Sequence, residues 1–440
     1  MKEMKRDKAR REYTLIMALG VILTFLMLVG MAGAVPFAYV VNSGDNTVSV
    51  IDTATDTVTA TVPVGEFPMG VAVSPDESKV YVTNYGSGAN LCSNDGLSTA
   101  TEVGTTVSVI DAATNTVVDT ITVGKHPYDV VVSPDSKKVY VTNAGDATVS
   151  VINAVTNTVS DTISNIGELP YSNPMHIVIT PDGSTIYVQT RQTFDNSNMA
   201  TVYVINTTNN SIVDTIGIRN ADGGITMSQG GNCVYTVHAS AGTDSVKAFS
   251  VDYNNPIDNF VVNVDECPRE VAVSPDDATL YVVNYVSDTI SVVNSTAGVV
   301  MYTIDMNDPD HNSGIENIAV STDGKKLYVV SSSNFRKCVY VFNSTATNYD
   351  LITTIPVGKY AGEIAIKQEP TVAIVHPEPT EKTTSEENTT TAVIYDTLLN
   401  NTVVENTDGA SNTNTVAKED NGGFFANIIK AFTNLIHAIV

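Results

Sequence analysis

The chain has 440 residues, with 23 Lys or Arg against 48 Asp or Glu, so its formal net charge is −25. A chain this acidic is repelled by nucleic acid and by anionic lipid headgroups, and we expect no nucleic-acid partner. The length exceeds that of a small domain and suits one large ring-shaped domain with appendages.

The N-terminus has the pattern of an export signal. Six Lys or Arg residues precede an uncharged apolar run from Thr14 to Ala34. The small residues Ala32-Gly33-Ala34 predict cleavage before Val35. The run also reaches the roughly 20 residues that cross a bilayer, so an uncleaved anchor is the alternative. Residues 1–34 are thus a signal peptide or membrane anchor, and both readings predict an exported protein in the extracellular space, on the cell surface or in the cell envelope.

A tetrad that begins with tyrosine recurs along the body of the chain. Its seven copies begin at Tyr39, Tyr81, Tyr140, Tyr187, Tyr235, Tyr281 and Tyr328. Successive copies lie 42 to 59 residues apart, which is the length of four short strands with their turns. This spacing predicts one four-stranded blade of a β-propeller per copy.

The second copy shows the predicted blade most clearly. Gly70–Ser74 is an apolar innermost strand, and Ser74-Pro75-Asp76 is a turn, because Pro presets φ at the first corner. Three more strands follow at Lys79–Asn84, Thr106–Asp111 and Thr116–Val123. These segments alternate at period two and are rich in Val, Ile and Thr, so the body is predicted to be all β.

The two ends of the repeat region complement each other. The first copy begins directly with its tyrosine strand, whereas Gly362–Ile366 has the pattern of an innermost strand but no tyrosine strand after it. Residues 362–367 are therefore predicted to complete the first blade and close the ring. The result is a seven-bladed propeller of four-stranded antiparallel blades spanning residues 35–368.

The tetrads at Tyr81-Val82-Thr83-Asn84 and Tyr140-Val141-Thr142-Asn143 resemble those of the YVTN-repeat β-propellers of archaeal surface layers. The resemblance covers about residues 36–368. It implies the propeller fold and a cell-surface setting. The fifth copy departs most, with Ser228-Gln229-Gly230 in place of Ser-Pro-Asp.

Two segments follow the repeats. Residues 369–420 are rich in Pro, Thr, Glu and Asn and predict an extended linker. Residues 421–440 carry apolar side chains at helical spacing and predict an amphipathic helix. It could lie in a membrane interface or wall layer, pack against another copy or the propeller, or span a membrane.

Sequons and cysteines suggest covalent features of an exported protein. Asn-x-Ser/Thr sequons predict glycosylation, with Asx turns as the competing explanation, at Asn206, Asn209, Asn294, Asn343, Asn388 and Asn400. The four cysteines are Cys92, Cys233, Cys267 and Cys338. Among the pairings, Cys267 with Cys338 between neighbouring blades is preferred. Long insertions are predicted at Gly86–Gly104 and Gln189–Asn198, on the face that carries the channel mouth.

One residue per blade is expected at the mouth of the central channel. Aligning the copies gives Gly70, Asp129, His176, Gly224, Glu270, Asn317 and Glu363. Asp129, His176, Glu270, Asn317 and Glu363 could together hold Ca²⁺ or another metal, or work as an acid/base set. A solvated polar rim explains the same residues, so no cofactor is predicted.

No Gly-x-Ser-x-Gly, His-Glu-x-x-His or phosphate-loop motif occurs in the sequence. We therefore expect a non-enzymatic surface protein whose propeller is a scaffold for contacts with envelope proteins, copies of itself or other cells. Membrane contact would come through the N-terminal segment and the C-terminal helix. The alternative is an exported metal-dependent ligand binder or hydrolase that uses the channel mouth.

Overall fold

The computed structural model describes part of the first of two compact units of the chain, Met1–Val372. The described residues are 37–86, 103–168, 172–192, 199–219, 223–239, 244–251, 255–306, 314–333, 336–345 and 348–366. The predicted signal or anchor, linker and amphipathic helix lie outside these ranges, as do Cys92, Asn388 and Asn400. Within these ranges no helix is long and apolar enough to cross a membrane.

The described residues form seven four-stranded antiparallel sheets, which confirms the predicted all-β seven-bladed propeller. Blade 1 contains β28 (Ala361–Ile366), β1 (Phe37–Asn42), β2 (Thr47–Asp52) and β3 (Thr57–Pro63). The strands of blades 2 to 4 are β4 (Pro68–Val73), β5 (Lys79–Asn84), β6 (Thr106–Asp111), β7 (Thr116–Thr122), β8 (Pro127–Val132), β9 (Lys138–Asn143), β10 (Thr148–Asn153), β11 (Thr158–Ser164), β12 (Ser172–Ile179), β13 (Thr185–Gln192), β14 (Met199–Asn206) and β15 (Ser211–Arg219). Those of blades 5 to 7 are β16 (Ile225–Met227), β17 (Cys233–His238), β18 (Ser245–Ser250), β19 (Asn255–Asn263), β20 (Pro268–Val273), β21 (Thr279–Asn284), β22 (Thr289–Asn294), β23 (Val299–Asp305), β24 (Ile315–Val320), β25 (Lys326–Ser331), β26 (Cys338–Asn343) and β27 (Leu351–Pro356).

The ring closes as the sequence predicts. Strand β28 pairs antiparallel with β1, with Val40 opposite Ile364, so the C-terminal strand of the repeat region supplies the innermost strand of blade 1. At the same junction, Lys326 of blade 7 donates to both carboxylate oxygens of Asp56 in blade 1, at 2.9 and 2.8 Å. The closure therefore combines a sheet within blade 1 with an ion pair between blades 7 and 1.

The tetrad tyrosine packs between blades. Tyr39 of blade 1 is fully buried and belongs to one apolar cluster with Val71, Val80 and Val82 of blade 2. Burial raises the pKa of Tyr39 to about 12, so the hydroxyl stays neutral. The repeated tyrosine is thus a large side chain that fills the wedge between neighbouring blades.

The tetrad asparagine joins the second and third strands of its own blade. Asn84 Nδ2 donates to Thr106 Oγ1 and Ser108 Oγ, each at 3.0 Å. Asn42, Asn143 and Asn284 make the equivalent pair of bonds. A Cβ at Gly65 would collide with the Asn84 side chain, which explains the glycine in the preceding connection.

The third tetrad residue links innermost strands around the channel. Thr83 Oγ1 accepts from Gly70 N and donates to Tyr128 O of blade 3, both at 2.8 Å. Thr142 donates in the same way to Met175 O of blade 4 at 2.7 Å. These bonds fix the spacing of the blades where the channel begins.

Two sequence predictions are corrected. The first four residues of the predicted irregular insertion at 189–198 belong to a regular strand, because β13 continues to Gln192; residues 193–198 lie outside the described ranges. The preferred Cys267–Cys338 bridge is not formed, and both side chains are free thiols, as is that of Cys233. Cys267 directly precedes the innermost strand of blade 6, whereas Cys338 begins the third strand of blade 7, so they lie at different distances from the channel.

Candidate active site

The seven aligned residues occupy one register position. In β8, Val130 pairs with Val141, the residue after the tetrad tyrosine, so Asp129 stands one residue before that pair. The other innermost strands have the same pairing, with Glu270 before the pair Val271–Val282 and Glu363 before Ile364–Val40. This end of the ring, where the innermost strands begin, is called the mouth face, and the end with the Ser-Pro-Asp turns is called the turn face.

Asp129 is a buried carboxyl group that bridges two blades. Its Oδ1 accepts from Val130 N at 2.6 Å, and its Oδ2 accepts from Ile177 N of blade 4 at 3.0 Å. Removal from water raises the pKa of Asp129 to about 7, although both backbone bonds favour the charged form. The group therefore titrates close to neutral pH.

His176 stands beside Asp129 as a neutral imidazole. Its Nδ1 lies 3.8 Å from Asp129 Oδ2. Burial, followed by the positive charge of Arg191, lowers the pKa of His176 to about 4. At neutral pH the approach is consequently not an ion pair.

Glu270 extends from blade 6 toward blade 5. Its Oε1 accepts from Val271 N at 3.0 Å, and its carboxylate occupies the space that a side chain at Gly224 would fill. Burial raises the pKa of Glu270 to about 8, and the charge of Asp129 adds to the increase. Glycine at the blade 5 position of the ring therefore makes room for a carboxyl group from its neighbour.

Glu363 completes the set of interacting carboxyl groups. Burial holds its pKa well above the usual value, and the charges of Asp129 and Glu270 raise it further, whereas a hydrogen bond from Val71 N of blade 2 opposes the increase. Carboxyls from blades 3, 6 and 1 thus act on one another across the channel. Asn317 occupies the same register position on β24 and is partly buried.

Aromatic and imidazole rings form an arc beside these carboxyl groups, and its two tyrosines were not among the residues expected there from the sequence. The Tyr85 ring centroid lies 4.7 Å from that of His126 and 6.2 Å from that of Tyr128. The Tyr128 centroid lies 5.4 Å from that of His176. Tyr85 follows a tetrad directly, and Tyr128 precedes a ring residue directly, so the repeat alignment contained the signal for both.

A cationic group lies in blade 6 at the register position of Tyr128. The Arg269 guanidinium carbon is 5.2 Å from the centroid of the Tyr285 ring, a cation–π arrangement. Burial raises the pKa of Glu316, and the positive charge of Arg269 opposes that effect. Arg269 and Arg191 thus give the acidic mouth two positive charges.

Residues that lead into the innermost strands have an unusual backbone. Phe67, His126, Cys267 and Tyr360 have φ of 48°, 51°, 56° and 49°, values that non-glycine residues seldom adopt. Such conformations persist where the surrounding structure enforces them, and they often occur at functional sites. Here they place side chains on the rim of the mouth face.

Metal binding and glycosylation stay predictions. Among the described residues, no group of three or more His, Cys, Asp or Glu side chains is placed to hold a metal ion. The sequon residues Asn206, Asn294 and Asn343 lie at the turn face as Asx turns: Asn294 Oδ1 accepts from Thr296 N at 3.0 Å, as Asp111 does from Ala113 N. Asn209 is exposed.

Comparison with known proteins establishes the family. Residues 30–303 and 235–380 match the family described as lactonase, 7-bladed beta-propeller, and the chain belongs to it. The seven-bladed beta-propeller protein Rv1057 of Mycobacterium tuberculosis is 34% identical over 107 residues, covering 24% of this chain and 23% of that protein. The uncharacterized protein YwhL of Bacillus subtilis is 26% identical over 337 residues, 75% of this chain and 64% of that protein.

Both matches span less than two thirds of the relative's length. Among solved structures, a proposed 6-phosphogluconolactonase from Bacteroides fragilis has a TM-score of 0.57 at 16% identity, covering 76% of this chain and 99% of that one. At this identity the likeness concerns the fold alone.

Membership of a lactonase family overturns the predicted function. The expectation of a non-enzymatic surface scaffold, and with it the expectation that the chain is not an enzyme, is wrong. It rested on the lack of contiguous catalytic motifs, but a propeller assembles its mouth from residues about one blade apart, so no contiguous motif is required.

Proposed function

We propose that this protein is a hydrolase that opens a cyclic ester at the mouth face, using Asp129, Glu270 and Glu363. The observation that carries the proposal is the convergence of these three carboxyl groups, from blades 3, 6 and 1, within electrostatic reach of one another. Family membership supplies the reaction class. Of the two functions expected from the sequence, family membership thus favours a hydrolase at the channel mouth.

The electrostatics support acid–base catalysis. Asp129 has a pKa of about 7 and Glu270 of about 8, so near neutral pH the set holds protonated and ionised carboxyl groups together. Interacting carboxyls resist simultaneous ionisation, and the protons belong to the group as a whole. A general base and a general acid are therefore available at the same pH.

Hydrolysis then needs only water and the ester. The ionised carboxylate takes a proton from water as the water oxygen bonds to the ester carbonyl carbon. The ring C–O bond breaks, and the departing oxygen takes the proton of the protonated carboxyl group. The product is a hydroxy acid, and proton exchange between the carboxyls restores the starting state.

A neutral substrate fits this mouth better than an anionic one. Ionised carboxylates would repel a substrate anion, and the guanidinium of Arg269 is already engaged with Tyr285 and Glu316. The arc of Tyr85, His126 and Tyr128 offers ring faces on which an uncharged ring can stack.

Ring opening of glucono-δ-lactone, a neutral lactone, tests the proposal. The wild type should exceed the buffer rate, and Glu270→Gln should lower kcat/KM by at least about 100-fold, the usual scale of a general acid–base contribution. Asp214→Asn, on the exposed outer strand of blade 4, is the control for loss of one carboxylate. The proposal would be overturned if the wild type opened neither this nor other neutral lactones faster than buffer does. It would also be overturned if Glu270→Gln and Asp214→Asn lowered kcat/KM equally.

The setting of this activity is also proposed. The basic and apolar N-terminal segment supports an exported enzyme, and the tetrads support a YVTN-repeat member of the family of the archaeal surface-layer kind. Intact-mass measurement of the protein from its native envelope fraction tests export. A start at Val35 supports cleavage, a retained Met1 with envelope location supports an anchor, and recovery only from the cytoplasm contradicts export.

A further inference from the structure

Blades 6 and 7 expose a group of apolar side chains on the outside of the ring. It is formed by the outermost strands β23 and β27, and we call it the outer patch. Its side chains are 39–52% exposed and belong to Val299, Val300, Met301, Tyr302, Leu351 and Ile352. Neither strand carries a charge between Val299 and Ile304 or between Leu351 and Pro356. A group of exposed apolar side chains without charges among them often marks an interaction site.

Blades 2 to 4 have a carboxylate where blade 6 has an aromatic ring. Tyr302 of β23 pairs with Val292, and the residues at the same register position in blades 2, 3 and 4 are Asp119, Asp161 and Asp214. Charges on edge strands discourage association with other chains. Blades 2 to 4 thus have a protective charge that blade 6 lacks.

Tyr302 keeps a contact with the next blade, as Asp119 does at the equivalent position of blade 2. Asp119 accepts from Asn157 Nδ2 of the next blade at 2.9 Å, whereas Tyr302 stacks on Tyr349 of the next blade with centroids 5.5 Å apart. The stack explains the two tyrosines by a contact within one chain, so they do not require a partner from another chain. It leaves the exposure of Val299, Met301, Leu351 and Ile352 unexplained.

We propose that the outer patch is the interface through which two copies of this chain associate. Two chains of net charge −25 repel each other wherever carboxylates face carboxylates, so an uncharged surface is where they can approach. A two-fold arrangement would pair the patch with itself and bury both copies of it. This inference does not depend on the proposed function.

The association uses side chains rather than added strands. Val292 pairs with Tyr302 and Val293 with Val300, so Met301 is the extra residue of a β-bulge, and Ile352 is its equivalent in β27. Bulges hinder continuation of a sheet into another chain. The patch would therefore be the apolar centre of an interface with a polar rim.

Sedimentation velocity of the full-length chain over a concentration series tests the proposal. The double variant Met301→Glu with Ile352→Glu should raise the dimer Kd at least about tenfold. The control, Val118→Glu with Val213→Glu, changes the bulge residues of blades 2 and 4, which are 56% and 59% exposed. It should leave the Kd unchanged, and equal melting temperatures would show that both variants fold.

A monomer at all concentrations would overturn the proposal, as would a dimer that both double variants weaken equally. Flotation with phosphatidylcholine vesicles separates a membrane from a second copy. Patch-dependent vesicle binding by a monomeric wild type would assign the outer patch to lipid and contradict the proposal. None of these measurements uses catalysis. A result against the dimer therefore leaves the hydrolase proposal intact, and a result against the hydrolase leaves the dimer proposal intact.

Discussion

Replacement of Glu270 by glutamine should change how stability depends on pH. The folded protein holds a proton on Glu270 up to a pKa of about 8, whereas the ordinary value is 4.5. Between these pH values the folded state binds more protons than the unfolded state, so the free energy of unfolding falls as pH rises. This contribution is fully present below the ordinary value and is lost by about pH 9.

The magnitude follows from that difference. Moving from 4.5 to about 8 corresponds to about 5 kcal/mol at full burial. Glu270 keeps some contact with solvent, so we expect about 2–3 kcal/mol to be realised. Between pH 5 and pH 9 the free energy of unfolding of the Glu270→Gln variant should therefore fall by about 2–3 kcal/mol less than that of the wild type. The remaining carboxyls should also ionise more readily, because a neighbouring charge is gone.

Urea unfolding at pH 5, 7 and 9, followed by circular dichroism because the chain has no Trp, measures the effect. Asp276→Asn is the control. Hydrogen bonds from Ser274 and from a backbone amide lower the pKa of Asp276, so its stabilising contribution is lost only as pH falls below the ordinary range. Equal pH dependence in wild type and Glu270→Gln would refute the reasoning.

Three further changes test the structure at other points. Gly224→Ala should displace the Glu270 carboxylate and lower lactone-opening kcat/KM by at least about tenfold, with the fold retained in circular dichroism spectra. Asn84→Ala removes one buried and one partly buried hydrogen bond and should lower the unfolding free energy by about 2–4 kcal/mol in urea titrations. Lys326→Met leaves Asp56 without its cation at the ring closure and should lower the melting temperature measured by circular dichroism.

The fold could be predicted from the sequence because each tetrad position has its own local role. Tyrosine fills the wedge between blades, asparagine joins two strands, and the repeat spacing sets the blade length. Ring closure was predictable because an innermost strand was missing at one end and present at the other. The Cys267–Cys338 pairing could not be predicted correctly in the same way. Two cysteines on the same face of the ring can still lie at different distances from the channel.

The sequence predicted which residues occupy equivalent positions at the mouth, but not their pKa values. The alignment placed Asp129, Glu270 and Glu363 at equivalent positions, as strand pairing confirms. Their raised pKa values arise from burial and mutual repulsion, which depend on how far each side chain extends into the channel. Arg269 and Tyr128 were missed because the alignment considered one residue per blade, whereas the mouth is built from at least two consecutive residues of each innermost strand.

The pH dependence of lactone opening tests the central claim most directly. kcat/KM for glucono-δ-lactone should rise and then fall between pH 6 and pH 9 in the wild type, because one carboxyl must be ionised while another keeps its proton. The two limbs belong to the interacting carboxyls as a set and should lie near pKa values of about 7 and about 8. Glu270→Gln should abolish this bell shape along with most of the rate. A wild-type profile that follows the buffer reaction, or a bell shape that survives in Glu270→Gln, would contradict the account.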